Sequence, residues 1–153
     1  MLPKTRVFLD TSALFAGILS AQGGARMILK LGEAKAIRLL VSPQVLDEAD
    51  GALRRKAPAA LGLLTLLLDR SGVEVVPPPK TQVVQASQAL IGHAGDALVL
   101  AAAWMAKADY FVTLDRTHFL DNATLREAVP FPIGTPGDFL AWYRGQFTNA
   151  NRI

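Results

Sequence analysis

Short apolar runs alternate along the chain with longer segments in which apolar positions recur at helical spacing. The short runs predict buried strands, and the segments between them predict helices. The predicted strands are residues 6–9, 37–41, 73–76, 110–114 and 131–133. Strands that alternate with helices are typical of a parallel sheet covered by helices. We therefore predict an α/β fold, a three-layer α/β/α sandwich around a central, mainly parallel sheet of roughly five strands.

Helix start signals support the same division of the chain. Ser42 and Pro43 supply an N-cap followed by proline at the first helical position. Thr11 and Ser12 are predicted to cap the first helix. The predicted helices are residues 13–19, 25–34, 43–56, 59–70, 81–91, 96–107, 123–128 and 135–144.

The length of 153 residues predicts a single domain, which we place at residues 1–148 with a loose tail at 149–153. Hydrophobic residues make up 51% of the chain, and this surplus predicts a homodimer that covers apolar surface. The chain has no cysteine, which excludes disulfides and thiolate zinc sites and fits a reducing compartment. Without a secretory signal or an apolar run of membrane-spanning length, we expect a cytoplasmic protein with no membrane part.

Four acidic residues are placed where a parallel sheet would present side chains at one edge. Asp10 and Asp115 each follow a predicted buried strand. Asp96 lies in the first turn of a predicted helix, and Glu48 lies within two turns of Pro43. Sites in open parallel sheets form outside the carboxyl ends of strands, so we expect the four acids to meet there. Their mutual repulsion would require a cation, and an all-oxygen site favours one or two ions of Mg²⁺ or Mn²⁺.

Each acid also has a plainer interpretation. Asp10 could be a helix-entry residue, Asp96 a charge at a helix N-terminus, and Asp115 the cap of a turn. Glu48 is the weakest of the four, because it lies among other acidic residues on a predicted surface helix.

The distribution of charge suggests a polyanionic partner. If four of the 13 acidic residues gather in one site, nine remain against 16 Lys and Arg. An acidic pocket inside a basic surface would suit a polyanion whose phosphates contact the bound cation. The chemistry that such a site supports is metal-catalysed hydrolysis of a phosphodiester by water. The alternative is a solvated basic surface without a partner.

Several stretches carry a recognisable combination of motifs. FLDTSAL is a strand that ends in Asp followed by small hydroxyl residues, and LLVSPQVLDEADGALRR is a strand and helix that carry Glu48. GDALVLAAAWMAKADYFVTLD is similar to D-x-x-[IL]-[LV]-A-x-A followed by A-D-x-x-V-T-x-D, and HFL and IGTPGDFLAWY follow it. From Val7 to about Leu140, the combination resembles the PIN-domain family of metal-dependent ribonucleases.

The resemblance implies roles for the acids. Asp10 and Asp96 would hold the cation directly, and Asp115 would bind it directly or through water. Glu48 would complete the set of ligands or position the attacking water.

The resemblance also implies supporting residues around the acids. Ser12 and Thr113 would orient the carboxylates or the phosphate through their hydroxyls. Arg116 is a candidate phosphate contact, with a plain surface arginine as the alternative.

One position departs from the family pattern. Many family members carry a further acid two residues after the fourth, and that place holds Thr117. One cation could then be held less firmly, or the site could take a single ion until substrate binds. His93 and His118 do not match a zinc spacing, and we expect His118 to hold the loop after Asp115 and His93 to lie at the surface.

A small PIN domain resembles the VapC-like toxins of toxin–antitoxin pairs. This resemblance implies an endoribonuclease with an RNA substrate, a cognate antitoxin and a dimeric state. The first alternative is a catalytically weak or inactive PIN-fold domain that binds RNA or acts as a scaffold. A phosphatase with Asp10 as nucleophile is disfavoured, because Ser12 stands where the haloacid-dehalogenase pattern D-x-D needs a second Asp.

Overall fold

A computed structural model describes residues 3–150, with side chains described as far as residue 148. Its strands are β1 (Thr5–Leu9), β2 (Ile37–Val41), β3 (Glu74–Val75), β4 (Tyr110–Val112) and β5 (Ile133–Gly134). They form a five-stranded sheet in the order β3-β2-β1-β4-β5, and every neighbouring pair is parallel. The predicted α/β fold class is confirmed. The strand order reverses between β1 and β4, which places the topological switch point at the centre of the sheet.

Helices fill the connections between the strands. They are α1 (Thr11–Leu19), α2 (Gly24–Glu33), α3 (Pro43–Lys56), α4 (Leu61–Ser71), α5 (Thr81–Leu90), α6 (Ala94–Met105), α7 (Ala123–Ala128) and α8 (Pro136–Ala150). A single 3₁₀ turn, Pro58–Ala60, precedes α4, and a π-helical turn, Arg116–Leu120, follows β4. No helix within residues 3–150 is both long and apolar enough to cross a membrane.

The start of α1 differs from the prediction. The cap is Asp10, whose Oδ1 accepts a hydrogen bond of 3.0 Å from the backbone N–H of Ala13, and Thr11 is the first helical residue. The predicted cap at Thr11 and Ser12 was therefore wrong by one residue. A carboxylate at the N-cap is stabilised by the free N–H groups of the first turn, so it competes well with the hydroxyls that follow it.

The end of α8 lies beyond the predicted position. The helix continues past Arg144 to Ala150. The predicted loose tail, 149–153, lies mostly outside the described residues and stays a prediction.

The core beneath the carboxyl ends of β1 and β4 is a stack of aromatic rings. Phe111 of β4 is fully buried, and its ring centroid lies 5.5 Å from that of Phe8, 4.9 Å from that of Phe119 and 6.1 Å from that of Phe131. Offset-stacked rings at these separations add to the burial energy of each side chain. Because Phe119 belongs to the π-helical turn, the stack also fixes the segment that follows Asp115.

Candidate metal centre

The topology brings two of the four acids to one crevice. Asp10 follows β1 directly, and Asp115 lies three residues beyond β4. The backbone N–H of Asp10 donates to the carbonyl of Val112 over 3.1 Å, so the ends of the two strands remain in register. Both carboxylates therefore lie outside the carboxyl ends of adjacent strands at the switch point, where ligands bind in folds of this kind.

All four acids line a cavity of about 450 Å³ at this edge of the sheet. Its volume falls in the range of small-ligand sites. Phe15, Val99 and Phe119 contribute apolar surface to the same cavity. The structure thus brings together Asp10, Glu48, Asp96 and Asp115, which are widely separated along the chain.

Asp10 is the most buried of the four acids, with 6% of its surface exposed. Its Oδ1 accepts hydrogen bonds from the backbone N–H of Ala13 at 3.0 Å and from Ser12 Oγ at 2.7 Å. Its Oδ2 accepts one from Thr113 Oγ1 at 2.5 Å. Since each carboxylate oxygen has two lone pairs, Oδ1 is fully used, and Oδ2 retains one lone pair for a cation.

The two hydroxyls predicted to orient carboxylates are both at Asp10. Ser12 Oγ also accepts a hydrogen bond of 3.0 Å from the backbone N–H of Leu114, and Thr113 Oγ1 accepts one of 3.0 Å from the backbone N–H of Asp115. The hydroxyls therefore tie Asp10 to the backbone that carries Asp115. A network of this kind fixes the orientation of a ligand carboxylate.

Burial of the negative charge of Asp10 destabilises the folded protein. Burial raises the pKa of Asp10 to about 6, against the opposing effect of the hydrogen bonds from Thr113, Ala13 and Ser12. The nearby charge of Asp115 raises the pKa further. A carboxyl whose pKa is higher in the folded chain than in the unfolded chain stabilises the fold most at low pH, and this contribution is lost as the pH rises through the folded pKa.

We therefore expect Asp10→Asn to stabilise the metal-free protein above pH 6. The rise in pKa from 3.8 to about 6 corresponds to about 3 kcal/mol, present below pH 4 and lost by pH 7. Asn fits the site because the hydroxyl of Thr113 can rotate to accept from the new amide. Urea unfolding in EDTA measures this from pH 4 to pH 8. Relative to the wild type, the free energy of unfolding of the variant should rise with pH by up to that amount. A difference that stays constant with pH would contradict this.

Asp96 and Asp115 form a close cluster with a histidine. One ligand atom from each of Asp96, Asp115 and His118 lies within 4.8 Å of the other two. His118 Nδ1 is 2.9 Å from Asp115 Oδ2 and 3.4 Å from Asp96 Oδ2. The backbone N–H of His118 also donates to Asp115 Oδ1 over 3.0 Å, so His118 does hold the loop as predicted. The position of its ring between two carboxylates was not predicted.

Electrostatics within the cluster move the two carboxyl pKa values in opposite directions. Partial burial raises the pKa of Asp96, the charges of His118 and His93 lower it, and those of Asp115 and Glu48 raise it again. Burial also acts upward on Asp115, but hydrogen bonds from His118 and its charge outweigh it, so the pKa of Asp115 is lowered. Like-charge repulsion thus acts on Asp96, and a cation would relieve it.

Glu48 is exposed on α3, yet both of its oxygens are held. Oε2 accepts a hydrogen bond of 2.7 Å from Thr11 Oγ1, and Oε1 accepts one of 2.8 Å from Gln44 Nε2. Gln44 Nε2 also donates to the carbonyl of Gly95 over 3.2 Å, which links Glu48 to the start of α6 beside Asp96. Neither Thr11 nor Gln44 was predicted from the sequence to support the site.

The positively charged side chain at the cavity is not the one that was predicted. The guanidinium of Arg116 lies 3.4 Å from Asp121 on an exposed side chain, and Arg116 is not among the residues that line the cavity. Lys56, at the end of α3, does line the cavity, with its ammonium 5.6 Å from the centroid of the Phe15 ring. The phosphate role of Arg116 stays a prediction. His93 is exposed as expected, although its Nδ1 lies 3.3 Å from Asp96 Oδ2.

The donor set fits a hard divalent cation. Asp10 offers a free lone pair on Oδ2, and Asp96 and Asp115 lie close enough together for their charges to interact. Carboxylate oxygens are the ligands that Mg²⁺ and Mn²⁺ prefer. Asp96 and Asp115 lie close enough together to hold such an ion, and Asp10 and Glu48 line the same cavity.

Comparisons with known proteins agree with this geometry. A family model described as PIN domain matches residues 6–117. The crystal structure of PAE2754 from Pyrobaculum aerophilum is 19% identical with a TM-score of 0.63, and the match covers 90% of this chain and 94% of that chain. The structure of VapBC2 from Rickettsia felis, bound to a DNA fragment from their promoter, is 17% identical with a TM-score of 0.61, covering 84% and 97%. At these identities the solved structures show the fold alone. No curated protein matches the chain.

Proposed function

The chain belongs to the PIN-domain family, and we propose that it is a metal-dependent endoribonuclease, the toxin of a toxin–antitoxin pair. The observation that carries this proposal is the convergence of the four acids on one cavity at the carboxyl ends of β1 and β4. Carboxylates set this close together are tolerated when a cation binds between them. PIN domains are generally nucleases, and the chain retains the acids on which the resemblance rests.

We assign the cation to Asp10, Asp96 and Asp115, with Glu48 completing the set, and expect one or two ions of Mg²⁺ or Mn²⁺. When bound, the cation supplies Lewis acidity, which makes water a better nucleophile and stabilises charge on the phosphate oxygens. Ser12 and Thr113 keep Asp10 oriented through their hydrogen bonds. Because each Glu48 oxygen already accepts one hydrogen bond, each keeps a lone pair that can orient the attacking water.

The lining of the cavity supports a nucleic-acid substrate. Lys56 brings a positive charge to the rim, where it can meet a backbone phosphate, and Phe15 and Val99 offer apolar surface beside the acids. An apolar wall next to a cationic group suits a nucleotide, which has both a base and a phosphate. The resemblance to ribonucleases makes RNA the proposed substrate.

Partner and location belong to the same proposal. The sequence resemblance to VapC-like toxins and the likeness in fold to VapBC2 support a cognate antitoxin. We further propose a homodimer that covers apolar side chains such as Met27 and Phe147, which are 45% and 56% exposed. The absence of cysteine is consistent with a cytoplasmic location.

A cleavage assay tests the nuclease proposal. The purified protein is incubated with single-stranded and structured RNAs, and with DNA of the same sequences, in Mn²⁺, in Mg²⁺ and in EDTA. We expect RNA cleavage with a divalent ion and none in EDTA. Cleavage that persists in EDTA would contradict the proposed chemistry. RNA binding without cleavage under any divalent ion would favour the inactive PIN-fold scaffold.

A further inference from the structure

The acid cluster contains a nitrogen donor that an all-oxygen cation site does not need. His118 Nδ1 lies 2.9 Å from Asp115 Oδ2 and 3.4 Å from Asp96 Oδ2. Two ligands at right angles on an octahedral cation, each at about 2.1 Å, lie about 3.0 Å apart. The nitrogen is therefore about as far from each oxygen as neighbouring ligands of one ion would be, and one ligand atom from each of the three residues lies within 4.8 Å of the other two.

The backbone places this ring more specifically than a loop contact requires. The π-helical turn that begins at Arg116 is capped by Asp115, whose Oδ1 accepts from the His118 backbone N–H over 3.0 Å. That backbone contact alone would hold the loop. The ring instead folds back over Asp115, and its side chain is 42% exposed, so core packing does not dictate its position.

The His118 ring lies next in sequence to the position at which the chain lacks an acid found in many family members. Thr117 occupies the place where many PIN domains carry a further acid, and its side chain is exposed. His118 is the next residue, and the turn directs its ring into the cluster with Asp96 and Asp115.

We propose that His118 Nδ1 is a ligand of the divalent cation, together with Asp96 and Asp115, and compensates for the acid missing at Thr117. The assignment rests on the proposed cation site. A neutral imidazole holds a metal through the ring nitrogen that carries no hydrogen, so His118 would hold the cation in the tautomer whose hydrogen is on Nε2. Imidazole nitrogen is a better ligand for transition metals than for Mg²⁺, which prefers oxygen ligands. The site should therefore favour Mn²⁺ over Mg²⁺ more strongly than a site made of carboxylates alone.

Pulsed electron paramagnetic resonance of bound Mn²⁺ tests the assignment directly. The chain has two histidines, so His93→Gln leaves His118 as the sole imidazole, provided that the protein carries no histidine tag. We expect nitrogen modulation from a directly bound ¹⁴N in the wild type and in His93→Gln, and its loss in His118→Gln. His93 is a matched control, because its ring lies 5.1 Å from that of His118 and its Nδ1 is 3.3 Å from Asp96.

A titration of each variant supplies the second readout. We expect His118→Gln to weaken Mn²⁺ binding by about 10- to 100-fold, with a smaller loss for Mg²⁺ and an unchanged circular dichroism spectrum. Nitrogen modulation that is absent from the wild type, or that survives in His118→Gln, would overturn the assignment, and so would a failure to bind Mn²⁺. Nitrogen-ligated Mn²⁺ without RNA cleavage would support the ligand assignment and contradict only the nuclease proposal.

Discussion

Asp96→Asn should lower kcat/KM for RNA cleavage by about 10³-fold while leaving the fold intact. A cation in a phosphoryl-transfer site contributes several kcal/mol of charge stabilisation, and about 1.36 kcal/mol corresponds to a tenfold change in rate. Asp96 is the sharpest test among the four acids because its described side-chain contacts are with the ring nitrogens of His93 and His118, and it caps no helix. The Asn side chain has nearly the same shape, so the loss would come from the removed charge.

Asp47→Asn is the matched control for this variant. Asp47 is exposed on α3, next to Glu48, and it does not line the cavity. Asp47→Asn removes one negative charge, as Asp96→Asn does, so the control separates a local effect from a change in net charge. Cleavage rates under single-turnover conditions should fall for Asp96→Asn alone. An activity within about threefold of the wild type for Asp96→Asn would show that this carboxylate does not hold the catalytic ion.

Phe111→Ala should destabilise the fold by about 3 to 5 kcal/mol. The ring is fully buried and contacts Phe8, Phe119 and Phe131, so its removal leaves a cavity that its rigid aromatic neighbours cannot fill. Because a domain of this size is stable by only about 5 to 15 kcal/mol, the variant would lose a large share of its stability. Phe119 packs on Phe111 and belongs to the same π-helical turn as His118, so cation binding should weaken as well.

Urea unfolding measures this effect, with Phe147→Ala as the control. Phe147 is 56% exposed and contacts Tyr143 at a ring separation of 4.9 Å, so its truncation should cost about 1 kcal/mol or less. A loss below about 1 kcal/mol for Phe111→Ala would contradict the view that the aromatic stack supports this edge of the sheet.

The elements that the sequence predicted best are those with local signals. β2 and α3 have the predicted bounds, because an apolar run ends at Ser42 and Pro43, where the side chain of Ser42 accepts from the Val45 N–H. The π-helical turn Arg116–Leu120 was missed. Its geometry depends on Asp115, which accepts from the His118 N–H, and on packing of Phe119 against Phe111. The second of these contacts is set by the tertiary fold rather than by the local sequence.

The meeting of Asp10, Asp96 and Asp115 at one cavity could be predicted from the sequence, because each residue lies at a strand end or a helix start. Their roles at a cation remain predictions. The contacts around Glu48 were not predicted, because two of them join distant residues: Thr11 donates to Glu48 across 37 positions, and Gln44 donates to Gly95 across 51. Such contacts exist only once the sheet has formed.

The histidine cluster was missed for a related reason. His118 lies three residues after Asp115, a spacing that brings two side chains together in a helical turn. The turn was not predicted, so this spacing was not recognised as a contact. Lys56 was likewise overlooked, since the last turn of α3 approaches the cavity only in the folded chain.

Calorimetric titration of Mn²⁺ into the metal-free protein tests most directly whether the four acids form one cation site. We expect at least one bound ion per chain, with an affinity at least about 10-fold weaker in Asp96→Asn and unchanged in Asp47→Asn. No detectable binding, or equal binding by the wild type and Asp96→Asn, would contradict it.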